Sequence, residues 1–437
     1  MCRAIKMLSI ILIGLLLLLN INEKVLPKAN QKVVTLKFMG WEASPLETKS
    51  VKNGLSIFMK RNPNIKVEYT VVPGSNYASK LLTMLAGNAA PDVFFCYTDS
   101  GLYRTLALKK QLLDITDYFK KEYKENDFLP ATVQLMKVNG RYYGVISCIV
   151  GPVLFYNKDV FKKAKIAFPP TDPNKAWTWE QFRNVAKKLT IKQNGKVIQY
   201  GVYGLENPYM LTALVLSNGG KLFNSNYTKM TVNNKETAEV LQKVLELRKV
   251  DGAAPDAITL ERIGMRAAQM LQTGKVAMLV DGSWALQELS NMNFEVGMAV
   301  LPKFKKCVTH VQAHMHSAWA KTKYPQEAWK LISFLSSDEY QCQNVKEGLW
   351  LPDRKSLYTE EGKKKWFNER VYGPWDNFKP MIEYFLKSEY FPFAMLTTSK
   401  VYDIWTEELQ NYFESGKDLQ KTLSDMEKRA NAELVKR

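Results

Sequence analysis

Residues 33–95 alternate between short apolar runs and longer amphipathic segments, and this alternation restricts the possible folds more than any other feature. The apolar runs have the length and the flanking turn residues of β-strands, and the segments between them have helical periodicity. Strands are predicted at 33–38, 65–72 and 92–95, and helices at 45–61 and 77–86. This order is typical of an α/β domain with a largely parallel sheet.

Each of these three predicted strands is followed by a loop. Ligands of open α/β sheets bind just beyond the carboxyl ends of the strands. We therefore expect the loops to converge on a pocket that includes Trp41, Tyr97 and Asp99, with Glu42 beside Trp41. The alternatives are a place in the core for the aromatic residues and a helix cap for Asp99.

The remainder of the chain continues this mixture of strands and helices, without internal repeats. Helices are predicted at 177–189, 235–250, 265–274 and 328–335, strands at 276–280 and 294–301, and a turn with extended segments at 140–157. Thr178 is the expected N-cap of the first of these helices, with Gln181 in its first turn. A chain of 437 residues is long enough for two to three domains.

The first thirty residues have the pattern of an export signal. Arg3 and Lys6 precede an apolar run at 7–19, which is short for a full membrane span. No convincing cleavage site follows, and no cysteine stands just after the run, so a lipid anchor is not supported. The segment 1–30 is therefore predicted to direct export, and both cleavage and retention as an uncleaved anchor stay open.

Charge and cysteine usage narrow the function classes. The net charge is +18, but the basic residues are scattered and no recognised nucleic-acid module is present, so we do not expect nucleic-acid binding. The five cysteines are far apart and show no paired spacing, which argues against a disulfide framework.

Ten short segments occur in a fixed order between residues 58 and 354. They read FMKRNPNIKVEY at 58–69, KLLTMLAGNAAPDV at 80–93, LLDITD at 112–117, NGRYYG at 139–144, LFYNKD at 154–159, WTWEQF at 177–182, GKVAM at 274–278, GSW at 282–284, AWKLISFL at 328–335 and GLWLPDR at 348–354. In this order they resemble the bacterial extracellular solute-binding proteins of the carbohydrate-importing family, the group that includes maltose-binding protein. The resemblance covers about residues 33–355 and continues more weakly to the end.

The resemblance implies a periplasmic-binding-protein-like fold, with two α/β lobes, mixed and mostly parallel sheets, and a ligand in the cleft between the lobes. The first lobe would comprise 33–148 and 300–355, and the second 152–297 and 358–437. The hinge would pass near 149–151 and near 298–299. Closure of the lobes around a ligand would be a hinge motion.

The resemblance also implies roles for individual residues. Trp284 matches a position whose ring stacks on a sugar, and Tyr209 matches another stacking position. Tyr97 and Asp99 match a segment that supplies an aromatic ring and a carboxylate. Asn207 is a candidate contact that stands where maltose-binding members have a carboxylate, and this departure argues against a maltose-type ligand.

All three histidines fall in one short stretch, at His310, His314 and His316. On a helix His310 and His314 would share a face, whereas on a strand His314 and His316 would do so. No metal site is predicted, because no further ligand follows at a suitable spacing except Cys307. His316 is a candidate sugar contact, with packing as the alternative.

Trp350 and Trp375 complete the set of candidate ligand contacts, again with packing as the alternative. The predicted function is the extracytoplasmic binding component of an ABC-type sugar importer, with membrane permease subunits as partners. We expect a monomer that needs no cofactor and is no enzyme. Three alternatives stay open. The first is a secreted glycoside hydrolase, which would need two carboxylates across the cleft. The others are a binding protein for a polyamine or another solute, and a surface protein that keeps the fold for signalling or adhesion.

Overall fold

The computed structural model describes residues 33–42, 44–98 and 101–436, which form two main β-sheets covered by helices. The predicted export segment 1–30 and the candidate residue Asp99 therefore lie outside the described residues. The strands are β1 (Val34–Glu42), β2 (Ile65–Pro73), β3 (Val93–Tyr97), β4 (Lys137–Val138), β5 (Arg141–Tyr142), β6 (Gly144–Val150), β7 (Pro152–Asn157), β8 (Ile191–Gln193), β9 (Lys196–Tyr203), β10 (Val276–Gly282), β11 (Val296–Ala299), β12 (His310–Ala318) and β13 (Glu389–Tyr390).

Nineteen α-helices occur in the described ranges. They are α1 (Pro45–Arg61), α2 (Gly74–Ala86), α3 (Leu102–Leu108), α4 (Thr116–Glu122), α5 (Pro130–Met136), α6 (Lys158–Ala164), α7 (Trp179–Leu189), α8 (Pro208–Ser217), α9 (Lys235–Lys249), α10 (Ala257–Ile263), α11 (Ala267–Gln272), α12 (Leu286–Leu289), α13 (Pro325–Leu335), α14 (Asp338–Val345), α15 (Glu360–Lys363), α16 (Glu369–Tyr372), α17 (Trp375–Leu386), α18 (Lys400–Phe413) and α19 (Leu419–Val435). Short 3₁₀ turns connect several of them.

The first sheet has the strand order β13-β12-β3-β1-β2, with β6 also paired with β12. The pairs β1–β2 and β1–β3 are parallel, as the alternation of strands and helices predicted. Strand β12 then runs antiparallel to both β3 and β6. The carboxyl ends of β1 and β3 consequently lie at one edge of this sheet.

Helix α1 shows how local sequence sets these elements. It has the predicted bounds, because the Ser44 hydroxyl caps the amide of Glu47 at 3.1 Å and Pro45 occupies the first helical turn. Its buried face includes Val51, Leu55 and Phe58, which pack on the first sheet. Burial of such side chains contributes about 1.5–3 kcal/mol each.

The second sheet has the strand order β11-β7-β10-β9-β8. Only the β9–β10 pair is parallel, and the other three pairs are antiparallel. The helix predicted at 177–189 is present as α7, and Thr178 and Gln181 form the expected capping box at its N-terminus. The mixed α/β class is confirmed, although the second sheet has a single parallel pairing.

One residue, Gly151, separates β6 of the first sheet from β7 of the second. A Cβ atom at this position would lie 2.5 Å from the carbonyl oxygen of His310. The chain therefore passes between the sheets at a point where only glycine fits the close approach of two backbones. The chain crosses between the two sheets again in the segment that connects β11 to β12.

Three groups of buried side chains hold the molecule together. Two of them belong mainly to the first and to the second sheet. The third joins residues of both, such as Ile149 and Val311 from the first sheet with Leu279 from the second. The sheets therefore share a continuous apolar contact at the crossover.

Within the described part of the chain, none of the helices combines the length and the apolar character needed to cross a bilayer. The four cysteines found there, Cys96, Cys148, Cys307 and Cys342, form no disulfide with one another.

Candidate functional site

Two of the predicted aromatic residues meet at the carboxyl edge of the first sheet. Trp41 lies near the end of β1 and Tyr97 at the end of β3, and their ring centroids are 5.7 Å apart. Trp41 also contacts His314 of β12 at 6.3 Å. Its indole Nε1 is buried and has no hydrogen-bond partner within the described chain. A buried donor without a partner is costly, and a ligand acceptor would satisfy it.

Trp350 joins this pair through His314. Its ring centroid lies 4.4 Å from that of His314, and its side chain is buried. The backbone of Trp350 has a φ of 70°, in the left-handed region that bulky residues rarely adopt. Such strain concentrates at ligand sites, which supports a functional role. Trp41, Tyr97 and Trp350 are called the first aromatic group below.

Tyr209 and Trp284 form the second aromatic group, at the second sheet, with ring centroids 5.8 Å apart. Asn207 places Tyr209, because its side-chain oxygen accepts hydrogen bonds from the amides of Tyr209 at 2.9 Å and Met210 at 3.4 Å. Asn207 is exposed, so capping of α8 accounts for its side chain without excluding a ligand contact.

The turn that carries Trp284 is hydrogen-bonded to Gly151, the residue at which the chain crosses between the sheets. The amide of Ser283 donates to the carbonyl of Gly151 at 2.9 Å, and the Gly151 amide donates back to the Ser283 hydroxyl at 3.3 Å. Trp284 is half-buried and packs against buried residues of both sheets. A Cβ atom on Gly282 would overlap the Trp284 ring, so glycine is required before it. Trp284 therefore lies where the two halves of the molecule meet.

Strand β12 connects the two aromatic groups. The His310 ring lies 4.4 Å from the Tyr209 ring, and its Nε2 is 2.9 Å from the Tyr209 carbonyl oxygen. Four residues later, His314 contacts the first aromatic group. Since β12 is a strand, the stretch of three histidines is extended, and His314 and His316 both lie against Phe95.

The remaining candidates are more scattered. His316 is buried against Phe38 and Phe95 inside the core of the first sheet. Trp375 has ring contacts with Phe367 and Phe378, and its ring also receives the Lys363 ammonium group at 4.1 Å.

The structure thus brings together Trp41, Tyr97 and Trp350 on one side and Tyr209 and Trp284 on the other. It does not bring His316 or Trp375 to either group. Glu42 ends β1 beside Trp41, where one of its carboxylate oxygens accepts a hydrogen bond from the Thr48 hydroxyl.

Burial determines the protonation of the histidines. It lowers the pKa of His310, His314 and His316 to about 3, so that all three rings are neutral near pH 7. Burial also raises the pKa of Asp281, at the end of β10, to about 6. No three His, Cys, Asp or Glu residues of the described ranges come together in a form that could hold a metal ion.

The buried histidines predict a pH dependence of stability. Below the ordinary value of 6.5 the unfolded chain protonates His316, whereas the folded protein does so only near a pKa of about 3. The unfolded state therefore binds more protons in this window, and the stability contributed by neutral His316 is lost as pH falls from 6.5 towards 3. Relative to a His316→Gln variant, the wild-type unfolding free energy should fall by about 1.4 kcal/mol per pH unit between about pH 6 and 4. Urea titrations at several pH values measure this, and equal pH profiles would contradict neutral burial.

One residue of the meeting point was missed in the sequence. Gln287 follows Trp284 by three residues, is buried, and donates through Nε2 to the Ser50 hydroxyl of α1 at 3.3 Å. It therefore links a helix of one half to a helix of the other. Its sequence context, a glutamine in a four-residue helix, carries no signal of that contact.

Comparison with known proteins fits this geometry. Residues 42–341 match the family model described as bacterial extracellular solute-binding protein. The chain belongs to this family. The match covers more than half of the 437 residues. It includes all of the second sheet and strands β2, β3, β6 and β12 of the first. Tyr97, Tyr209 and Trp284 of the two aromatic groups lie within it, whereas Trp41 and Trp350 do not.

Individual relatives extend the similarity beyond the matched segment. The chain is 24% identical over 332 residues to the galactooligosaccharide-binding protein of Bacillus subtilis, covering 73% of each protein. It is 27% identical over 332 residues to an uncharacterized ABC transporter extracellular-binding protein of Pyrococcus horikoshii, covering 72% of this chain and 70% of that protein.

Among solved structures, it is similar to an ABC substrate-binding protein of Listeria monocytogenes in complex with cycloalternan. The TM-score is 0.79 at 23% identity, and the similarity covers 92% of this chain and 99% of that one. The fold is thus that of the ABC substrate-binding proteins, as the resemblance implied.

Proposed function

We propose that this solute-binding protein captures a neutral oligosaccharide between two lobes and delivers it to the permease of an ABC-type importer. The observation that carries the proposal is the pair of aromatic groups, one at each sheet, that flank the point where Trp284 contacts both halves. Aromatic rings present flat apolar faces, which suit the C–H faces of pyranose rings. The named ligands of the Bacillus and Listeria relatives are oligosaccharides, which supports the same class here.

The polar groups near the aromatic rings favour a neutral ligand. The histidines of β12 are uncharged near pH 7, and Asn207 offers an amide rather than a carboxylate. A polyamine would need several carboxylates around it. An anion would need arginines or free amides at a helix N-terminus, and the amides of Tyr209 and Met210 at the start of α8 already donate to Asn207. Among the candidate residues that the structure describes, Glu42 alone carries a carboxylate, and one such group does not make a polyamine site.

The lobe boundaries follow from the same proposal. The first lobe comprises 33–148 and 300–355, and the second comprises 152–297 and 358–437, with hinges near 149–151 and 298–299. Two residues of the segment 358–437 are an exception to this division. Glu389 and Tyr390 pair with β12 and so belong to the first sheet. Ligand binding closes these lobes by hinge motion.

The partners and location of the protein belong to the proposal too. The protein acts as an exported monomer outside the cytoplasmic membrane, and its closed form is the one that permease subunits recognise. A hydrolase is the competing function, and it would need an acid pair about 5–10 Å apart across the cleft. Absence of turnover of chromogenic glycosides, with binding of the free sugars, separates the two functions.

A thermal-shift panel tests the proposed ligand class. Residues 30–437 would be heated with maltotriose, galactotriose, arabinotriose, cycloalternan, spermidine and divalent metal ions in turn. A ligand present at about one hundred times its dissociation constant stabilises the folded state by about 2.7 kcal/mol. We expect a raised melting temperature with at least one oligosaccharide. A rise with spermidine or a metal ion alone would overturn the sugar while leaving the family unchanged.

A further inference from the structure

Gln312 lies on β12 between the residues that contact the two aromatic groups, and no role for it follows from the sequence. Alternate side chains of a strand share one face, so Gln312 shares the face of His310 and His314. His310 contacts Tyr209, and His314 contacts Trp41. The carboxamide of Gln312 is therefore placed between the two groups.

The neighbouring strands place Gln312 beside the crossover between the two sheets. In the β6–β12 ladder it is opposite Val150, the last residue before Gly151. The carbonyl oxygen of Val150 accepts a long hydrogen bond of 3.4 Å from the hydroxyl of Tyr209, a residue of α8. On the other side of β12, the next residue, Ala313, donates its amide to the Thr98 hydroxyl at 3.1 Å, where β3 has ended.

The side chain of Gln312 is only 9% exposed, and its Oε1 atom has no hydrogen-bond partner among the residues that the structure describes. An unpaired buried acceptor destabilises the unliganded protein unless something else donates to it. Gln312 lies where the two halves of the molecule meet. A ligand held at this point would donate the missing hydrogen bond to Oε1, which would explain why an unpaired acceptor is buried there.

We propose that Gln312 is a ligand-contacting residue that determines specificity, whose Oε1 accepts a hydrogen bond from a hydroxyl group of the bound sugar. The inference rests on the proposed function and names the chemistry beside the crossover. Oε1 can accept a hydrogen bond from a neutral hydroxyl group, whereas an ionised carboxylate or phosphate at the same point has no proton to donate to it. The residue thereby selects uncharged sugar units over acidic ones.

A Gln312→Leu variant tests this role, because leucine fills a similar volume without an acceptor. Calorimetric titration would use maltotriose, galactotriose, arabinotriose and cycloalternan in turn. For each sugar that binds the wild type, we expect a dissociation constant raised about tenfold to hundredfold. The melting temperature without sugar should stay equal or rise, since an unpaired buried acceptor has been removed. A purely structural glutamine would give the opposite result, a lower melting temperature with unchanged affinity.

Gln341→Leu is the matched control. Gln341 is also a buried glutamine, but its Nε2 donates to Asp353 at 2.7 Å and to the carbonyl of Ser336 at 3.1 Å. This variant should melt at a lower temperature and keep its sugar affinity. If Gln312→Leu does not fold, Gln312→Asn withdraws the carboxamide by one methylene and should show the same loss of affinity.

The outcomes separate the two levels of the proposal. Sugar binding by the wild type with undiminished affinity in the Gln312 variants would overturn the role of Gln312 and leave the proposed function standing. A wild type that binds none of the four sugars would contradict the proposed function and, with it, this inference.

Discussion

Replacement of Trp284 by alanine should raise the dissociation constant for the sugar by about 30-fold or more, equivalent to about 2 kcal/mol. Trp284 is half-buried, contacts Tyr209 and packs against both sheets, so it has the central position expected of a binding hot spot. Under the proposed function, its loss removes the apolar face on which the sugar ring would stack and opens the meeting point to water. Calorimetry well below the melting temperature of the variant measures the change.

Trp375→Ala is the matched control for Trp284→Ala. Trp375 is also a half-buried tryptophan, but its ring contacts Phe367 and Phe378 and lies against the Lys363 ammonium group. The control should lose stability and keep its sugar affinity. Equal affinities for Trp284→Ala and the wild type would remove Trp284 from the site.

Gly151→Ala should destabilise the fold by about 1–3 kcal/mol, the usual cost of forcing extra atoms into a packed position. The added methyl group would lie 2.5 Å from the backbone oxygen of His310. A backbone atom within a paired strand cannot move away as the end of a flexible side chain can. Because Gly151 exchanges two hydrogen bonds with Ser283, the displacement should also move Trp284 and weaken sugar binding. Urea unfolding and calorimetry report the two effects separately.

Gly74→Ala controls for the general effect of replacing a glycine. A Cβ atom there would meet its nearest neighbour, an atom of the Trp41 ring, at 3.5 Å, which is an ordinary contact distance. This variant should keep the wild-type stability. A Gly151→Ala protein as stable as Gly74→Ala would show that the crossover tolerates a side chain and would contradict the close approach described above.

Much of the fold could be predicted because its signals are local. Helix α1 has a capping serine, a proline in its first turn and an apolar stripe, and the structure reproduces its predicted bounds. The strands of the first sheet were also located, although β1 and β3 continue further towards the site than expected. Their extension to Glu42 and Tyr97 makes Trp41 and Tyr97 part of strands, not only of loops.

The site was harder to predict because it depends on pairings between distant parts of the chain. The stretch around the three histidines fits a helix or a strand by periodicity alone, and only its pairing with β3 and β6 decides for the strand. Trp350 and Trp375 are equivalent as isolated tryptophans. The strained backbone and the His314 contact of the first, and the Lys363 contact of the second, separate them only in three dimensions.

Hydrogen–deuterium exchange with and without a sugar that binds in the thermal panel tests the central claim most directly, namely that the ligand is held between both lobes. We predict slower exchange in two places at once: in peptides that cover 38–42 and 95–98 of the first lobe, and in peptides that cover 205–212 and 280–287 of the second. Protection confined to one lobe, or located away from both aromatic groups, would contradict the account.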